Sequence, residues 1–358
     1  MKRTRAFALG LATLALAGSV AACGSSSSSS SGTTANAANT SSGMPTVTMM
    51  VGGIDKQIYL PYELAQGLGY YKKYGVNMQL STEQTGGVGA ETAMVSGQVD
   101  MAGAWYVHAI DFTAKGKHVI DIANLSGAPG EREMCTKASG VTSPANFKGK
   151  GLGVTDLGSG TDNLTTYLAA RYHLSSKDFN HVAVGAGSTL VAGLQNNRIA
   201  CAMTTQPTVN ALETKGVAHS VIDLASSAGA KQWLGGIYPS AGVLARADWI
   251  ASHRVAAQKV VDALVATMHY IATHGAADIA AHLPSSYSSN GLTTRANYIT
   301  TLNQDKGQFL PDGMMPAGGP QVAYAVDKLA GNVTTPVNLA ETYTNSFAAA
   351  ANKLEGTK

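Results

Sequence analysis

Few of the signatures that mark an enzyme or a metal protein occur in this 358-residue chain. It has no G-x-S-x-G elbow, no G-x-x-x-x-G-K phosphate loop and no G-x-G-x-x-G fingerprint, and no serine stands beside a recognisable partner. Its nine histidines are scattered, without an H-E-x-x-H pattern. His269 and His274 lie five apart, which does not bring them onto one helix face, so neither a metal nor another cofactor is expected. Cysteine is scarce: Cys23, Cys135 and Cys201 are the whole complement. Beyond the N-terminal segment no stretch is long and apolar enough for a transmembrane helix. Charge excess is lacking too. Residues 1–22 hold three of the 25 Lys and Arg and none of the 22 acids, so the remainder is formally neutral. That balance gives no basic stripe for a nucleic acid and no polybasic membrane patch.

What is present begins with an export signal. Lys2, Arg3 and Arg5 supply a positive start, Ala6 to Ala17 is apolar but short for a bilayer, and small residues lead into Cys23. Val20-Ala21-Ala22-Cys23 resembles the bacterial lipobox, which implies a lipid on the Cys23 thiol and an anchor on the extracytoplasmic face of the cell membrane. Seven serines follow within a segment to Gly43 that is mostly Ser, Thr, Ala, Asn and Gly. So little apolar surface cannot offset ordering entropy, and a flexible leash is expected. Residues 44–358 are enough for two domains. Cys135 and Cys201 both sit in apolar contexts, and the choice between one disulfide and two buried thiols stays open.

Periodicity reads as strand, helix, strand, helix, strand over Val47–Val51, Ile58–Tyr74, Val76–Leu80, Ala90–Ser96 and Val99–Ala104. The pattern returns over Lys150–Thr155, a helix from Thr161 to Tyr172, His181–Val184, Thr189–Gln195 and Ile199–Thr204. Ser96–Ala102 lies over Asn196–Ala202 at an offset of 100 residues, polar turn on polar turn and apolar strand on apolar strand. A last strand is expected at Ala241–Ala245. Helical patterns follow at Val255–Thr273, with Asp248 as a candidate cap, and at Arg295–Gln304, Pro320–Lys328 and Leu339–Leu354. Two similar α/β lobes bring the C-terminal edges of their parallel strands to a shared cleft, where open α/β sheets bind ligands. The expected fold class is therefore α/β: a two-lobe flytrap, each lobe a mixed, mainly parallel sheet flanked by helices, with extra C-terminal helices. The expected divisions are 1–22 signal, 23–43 linker, 44–124 first lobe, 125–240 second lobe, and 241–358 a return strand and helices packing mainly on the first lobe.

Leu60-Pro61-Tyr62-Glu63-Leu64-Ala65-Gln66-Gly67-Leu68-Gly69-Tyr70-Tyr71-Lys72-Lys73-Tyr74-Gly75-Val76 resembles the opening helix of solute-binding proteins of ABC importers, in the group handling nitrate, sulfonates, taurine and thiamine-precursor pyrimidines. Val95–Ala102, Phe147–Val154, Gly158–Asp162 and Gln206-Pro207 match further, in the family's order, over about 150 residues. The resemblance implies a periplasmic binding protein type II fold, a monomer that binds a small polar, anionic or aromatic solute, and partners in an ABC permease and its ATPase. A sensory ligand-binding module is the alternative. A pyrimidine-synthase-like enzyme on the same fold is a further one, although an enzyme is not expected. One departure is Gly130-Glu131-Arg132-Glu133-Met134-Cys135, where the family usually has an apolar strand. Its three charges line the cleft or face water, and water is the expectation.

Among candidate ligand contacts, Gly158, Ser159, Gly160 and Thr161 lie between a strand and a helix, where free amides suit an oxyanion. The alternative is a plain turn with Thr161 as cap. Thr85 and Gly86 occupy the equivalent turn of the first lobe. Asp55, Lys56 and Tyr59 follow the first strand, Lys56 suiting an anion and Asp55 an amine. Trp105 and Tyr106 follow the third strand, and either stack on a ring or pack the seam. Gln206 sits at the matching edge of the second lobe, and Tyr238 lies near the return crossing.

Overall fold

The computed structural model describes residues 43–83 and 88–356. The expected signal, nearly all of the expected linker, the lipidation site Cys23, and Thr85 and Gly86 lie outside the described residues.

Ten strands form two five-stranded sheets. They are β1 (Thr46–Val51), β2 (Asn77–Thr82), β3 (Met101–Trp105), β4 (Val119–Asn124), β5 (Glu131–Cys135), β6 (Gly151–Val154), β7 (Asn180–Ala183), β8 (Cys201–Thr205), β9 (His219–Asp223) and β10 (Ala241–Arg246). The first sheet runs β2-β1-β3-β10-β4 and the second β7-β6-β8-β5-β9. In each, three parallel strands lie beside an antiparallel strand from elsewhere in the chain: β10 between β3 and β4, β5 between β8 and β9. The offset of 100 residues seen in the sequence places β3 over β8, at equivalent positions in the two sheets. Helices flank both sheets, as expected for two-lobe α/β proteins.

β3 and β8 are buried on both faces, so neither shows the polar–apolar alternation of a half-exposed strand. The pattern over Ile58–Tyr74 instead folds as three pieces, a 3-10 turn at Gln57–Tyr59 and helices Leu60–Gly67 and Tyr70–Lys73. Gly69, at φ 70°, breaks the run in a left-handed conformation that a side chain disfavours. Asp248 is not the cap of the long helix. It lies within a short helix, Ala247–Ser252, where its carboxylate accepts from the Trp249 amide at 2.8 Å, and the long helix starts at Arg254. Leu339–Leu354 also splits, into a 3-10 turn at Leu339–Glu341 and a helix at Ser346–Leu354.

The charged segment expected to face water forms β5, hydrogen-bonded on both sides inside the second sheet. Glu131 and Glu133 are 2% and 0% exposed. Arg132 points to the other face and grips both oxygens of Asp305 at 2.8 Å each, with Asp223 at 3.1 Å. The strand tolerates these charges because Arg132 is forked by carboxylates and burial holds the acids toward their neutral forms. Cys135 and Cys201, directly opposed on β5 and β8, are joined by a disulfide.

The long helix Arg254–Thr273 packs on Leu60–Gly67, Tyr70–Lys73 and Ser346–Leu354. Helix Gly319–Ala330 packs instead on Gly160–Ala170 beside the second sheet and on Val107–Ala114 beside the first, so this one C-terminal helix bridges the lobes. Direct ties between the lobes include the Gln57 amide donating to the Gln206 carbonyl at 3.0 Å.

Candidate functional site

A small cavity, about 310 Å³ of empty space with its open mouth included, lies between the two sheets. The first lobe supplies Lys56 and Tyr59, which follow β1, Trp105 from the end of β3, Glu91 from the helix Gly89–Val95 before β3, and His108 from the helix Val107–Ala114 after it. The second supplies Glu131 from the start of β5, and Thr155, Ser159, Gly160 and Thr161 from the β6 turn and the helix it enters.

Ser159 caps helix Gly160–Ala170, its Oγ accepting from the Asp162 amide. The hydroxyls of Thr155, Ser159 and Thr161 lie 2.9 to 3.1 Å from one another. The amides of the first helical residues, Gly160 and Thr161, have no carbonyl one turn back and present positive dipole ends to the cavity. Gly158 is turned outward and its amide donates to Asp162 at 2.8 Å, so it does not line the cavity. Gly160 has to be glycine for a reason from the other lobe: a Cβ there would lie 2.2 Å from Trp105. The indole thus lies against the start of the second-lobe helix, and it meets Tyr238 edge-on at 6.2 Å.

Lys56 Nζ donates to the Gly52 carbonyl at 2.9 Å. Burial lowers its pKa, against the pull of Glu131, Glu83, Asp55 and Glu91. Burial also raises Glu131 to about 7, which Lys56 and Arg132 moderate. His108 lies between Glu91 at 3.4 Å and Asp111 at 3.3 Å. Burial opposes its charge, but the two carboxylates outweigh burial and lift the imidazole to about 9. Asp111 in turn lies beside buried Asp327 of helix Gly319–Ala330, whose pKa is raised by burial and by the neighbouring Asp111 carboxylate. A line of ionisable groups thus runs from the cavity to a helix packed on both lobes.

Of the residues singled out in the sequence, Lys56, Tyr59, Trp105, Ser159, Gly160 and Thr161 meet at this cavity. Asp55 is exposed and borders a second opening, with Gly187 and Thr208. Tyr106 turns away into the first-lobe core, its hydroxyl 2.6 Å from that of Thr342. Gln206 meets the first lobe through its backbone, while its side chain accepts from the Asn210 amide at 3.1 Å. Tyr238 is buried behind Trp105. Sequence reasoning did not single out Glu91, His108 or Thr155, and Glu131, one of the three charges expected to face water, lines the cavity instead. The available signal was an acid inside an otherwise apolar strand or helix pattern, which is costly to bury unless it is used.

Two sheets of matching order with a cavity walled from both sides are the periplasmic binding protein fold. The chain belongs to the NMT1/THI5-like family, whose model matches residues 58–277. A solved protein from Bordetella bronchiseptica RB50 superposes with a TM-score of 0.81 at 27% identity, over 87% of this chain and 98% of that one. The alkanesulfonate-binding protein SsuA from Xanthomonas axonopodis pv. citri, solved with MOPS, superposes at 0.67 and 15% identity, over 84% and 99%. Among curated proteins, 4-amino-5-hydroxymethyl-2-methylpyrimidine phosphate synthase THI12 of Saccharomyces cerevisiae is 29% identical over 142 residues. That match is 39% of this chain, and the chain spans about 40% of the length of that relative. Among the described residues no helix is long and apolar enough to cross a membrane.

Proposed function

We propose that this chain is a lipid-anchored, extracytoplasmic solute-binding protein that closes two lobes on a small polar, anionic or aromatic solute and delivers it to an ABC import permease. The observation that carries the reading is the contact of Trp105 from one lobe with Gly160 from the other, which closes the wall of a cavity whose polar groups come from both sides. Contacts available only when the lobes meet are what a ligand needs to shift an open–closed balance. The fold likeness to a sulfonate-binding protein supports the same reading. The synthase relatives favour a second reading, an enzyme on this fold.

A thermal-shift screen of the full chain in mild detergent tests the binding reading, with nitrate, alkanesulfonates, taurine, aromatic acids, amines and pyrimidines. A ligand at a hundred times its dissociation constant adds about 2.7 kcal/mol, a shift of several degrees. A hit recovered chemically unchanged after prolonged incubation, with its shift lost in Trp105→Ala, is the expected result. Turnover of the hit would move the assignment to the enzyme, and no shift with any compound would overturn the binding reading for these classes.

A further inference from the structure

Two carboxylates border a cavity whose other polar features suit an anion. Glu91 is 3% exposed and Glu131 is 2% exposed. Each has one oxygen, Oε2 in both cases, that is buried and has no hydrogen-bond partner among the described residues. Both residues line the cavity, one from each lobe. The other oxygen of Glu91 lies against His108 at 3.4 Å. Lys56 stands near both acids and also donates to the Gly52 carbonyl. A buried acceptor without a donor is costly, and the cost is offset only if something else supplies the donor.

We infer that the solute presents N–H donors on a positively charged group, an amine or amidine, to the facing carboxylates of Glu91 and Glu131. This rests on the binding reading above and narrows it: simple oxyanions such as nitrate or an alkanesulfonate bring acceptors where the site already has two. The start of helix Gly160–Ala170 then faces the other end of the solute, where its amides and the Ser159 and Thr161 hydroxyls suit an acceptor.

The inference has a proton signature. The charged and titratable groups facing Glu131 are Lys56, Tyr59, Arg132 and Glu133, with Glu91 and His108 across the cavity, and burial, countered by Lys56 and Arg132, raises its carboxyl to about 7. A cation that binds the ionised form must first displace that proton, so its affinity rises with pH up to about 7 and then levels. An anion that accepts from the protonated form shows the opposite slope.

Benzamidine and benzoate, and the smaller pair acetamidine and acetate, have matched shapes and opposite charge. Their affinities for the full chain in detergent would be measured by calorimetry at pH 5, 6, 7 and 8. The expected result is that an amidine of at least one pair binds ten times or more tighter than its carboxylate, gaining up to tenfold per pH unit between 5 and 7. Glu131→Gln should weaken that binding tenfold or more and flatten its pH dependence. Tighter binding of the carboxylates, a flat pH profile for the wild-type chain, or no binding of either amidine at 10 mM would each overturn the inference. A nitrate or sulfonate hit in the wider screen would then leave the binding reading standing, whereas silence of every compound would sink both. Because the comparison of matched probes uses the wild-type chain, it does not depend on the variant folding.

Discussion

Replacing Glu133 by methionine should stabilise the protein, and by an amount that depends on pH. Glu133 sits on β5 at zero exposure, both carboxylate oxygens lack a partner among the described residues, and one lies within 4.8 Å of each disulfide sulfur. Burial, with the charge of Glu131 second, raises its pKa from 4.5 to about 8. The folded chain therefore keeps a proton that the unfolded chain releases above pH 4.5. A group whose folded pKa is raised contributes most favourably below its unfolded value, and that contribution is lost as pH climbs toward the folded one. At pH 7 the penalty is about 3 kcal/mol, from 1.36 kcal/mol per unit over the interval between 4.5 and 7; at pH 5 it is under about 1 kcal/mol. Methionine has similar length and no charge. Urea unfolding of the two chains at pH 5 and pH 7 should show a gain for Glu133→Met that is about 2 kcal/mol larger at pH 7. Equal gains at both values, or a larger gain at pH 5, would show that Glu133 is ionised in the folded protein and that the burial reasoning is wrong.

Two other substitutions probe the fold and its closure. Gly160→Ala puts a methyl group 2.2 Å from Trp105, so the lobes should fail to close fully; ligand affinity should fall at least tenfold and small-angle scattering with ligand present should report a wider particle, and unchanged affinity would refute the role given to this contact. Removing the Cys135–Cys201 disulfide, which links residues 66 apart, by a double change to alanine should cost about 2–4 kcal/mol in urea unfolding, and no change in midpoint would mean that the bridge contributes nothing to stability.

Much of the architecture is legible in the sequence because the parallel strands are short apolar runs between glycine and polar turns, as at β3 and β8. Periodicity alone did not reveal the breaks. The apolar spacing of Ile58–Tyr74 continues through Gly69, although the backbone there leaves the helix. β5 was obscured by its own charges, because the Asp305 partner of Arg132 is 173 residues away and the burial of Glu131 depends on the opposite lobe. The candidate site divides along the same line. Lys56, Trp105 and Ser159 follow strand ends, and a topological rule finds such positions. Glu91 and His108 lie on helices, and only the packed structure turns them to the cavity. Tyr106, next to Trp105, shows the limit of the rule, since adjacent residues at a strand end point to different places.

The antiparallel strands have a consequence for the order of assembly. Every strand of the second sheet, β5 to β9, has been made by residue 223, whereas the first sheet has a gap between β3 and β4 until β10 arrives at residues 241–246. The part of the chain made first is thus the part completed last. Closing the first sheet means bringing β10 back to β3 across the whole intervening lobe, a long loop to close and a slow kind of pairing. Until then β3 and β4 expose apolar edges, and a chain that pauses before residue 241 holds one finished lobe and one half-built, aggregation-prone one.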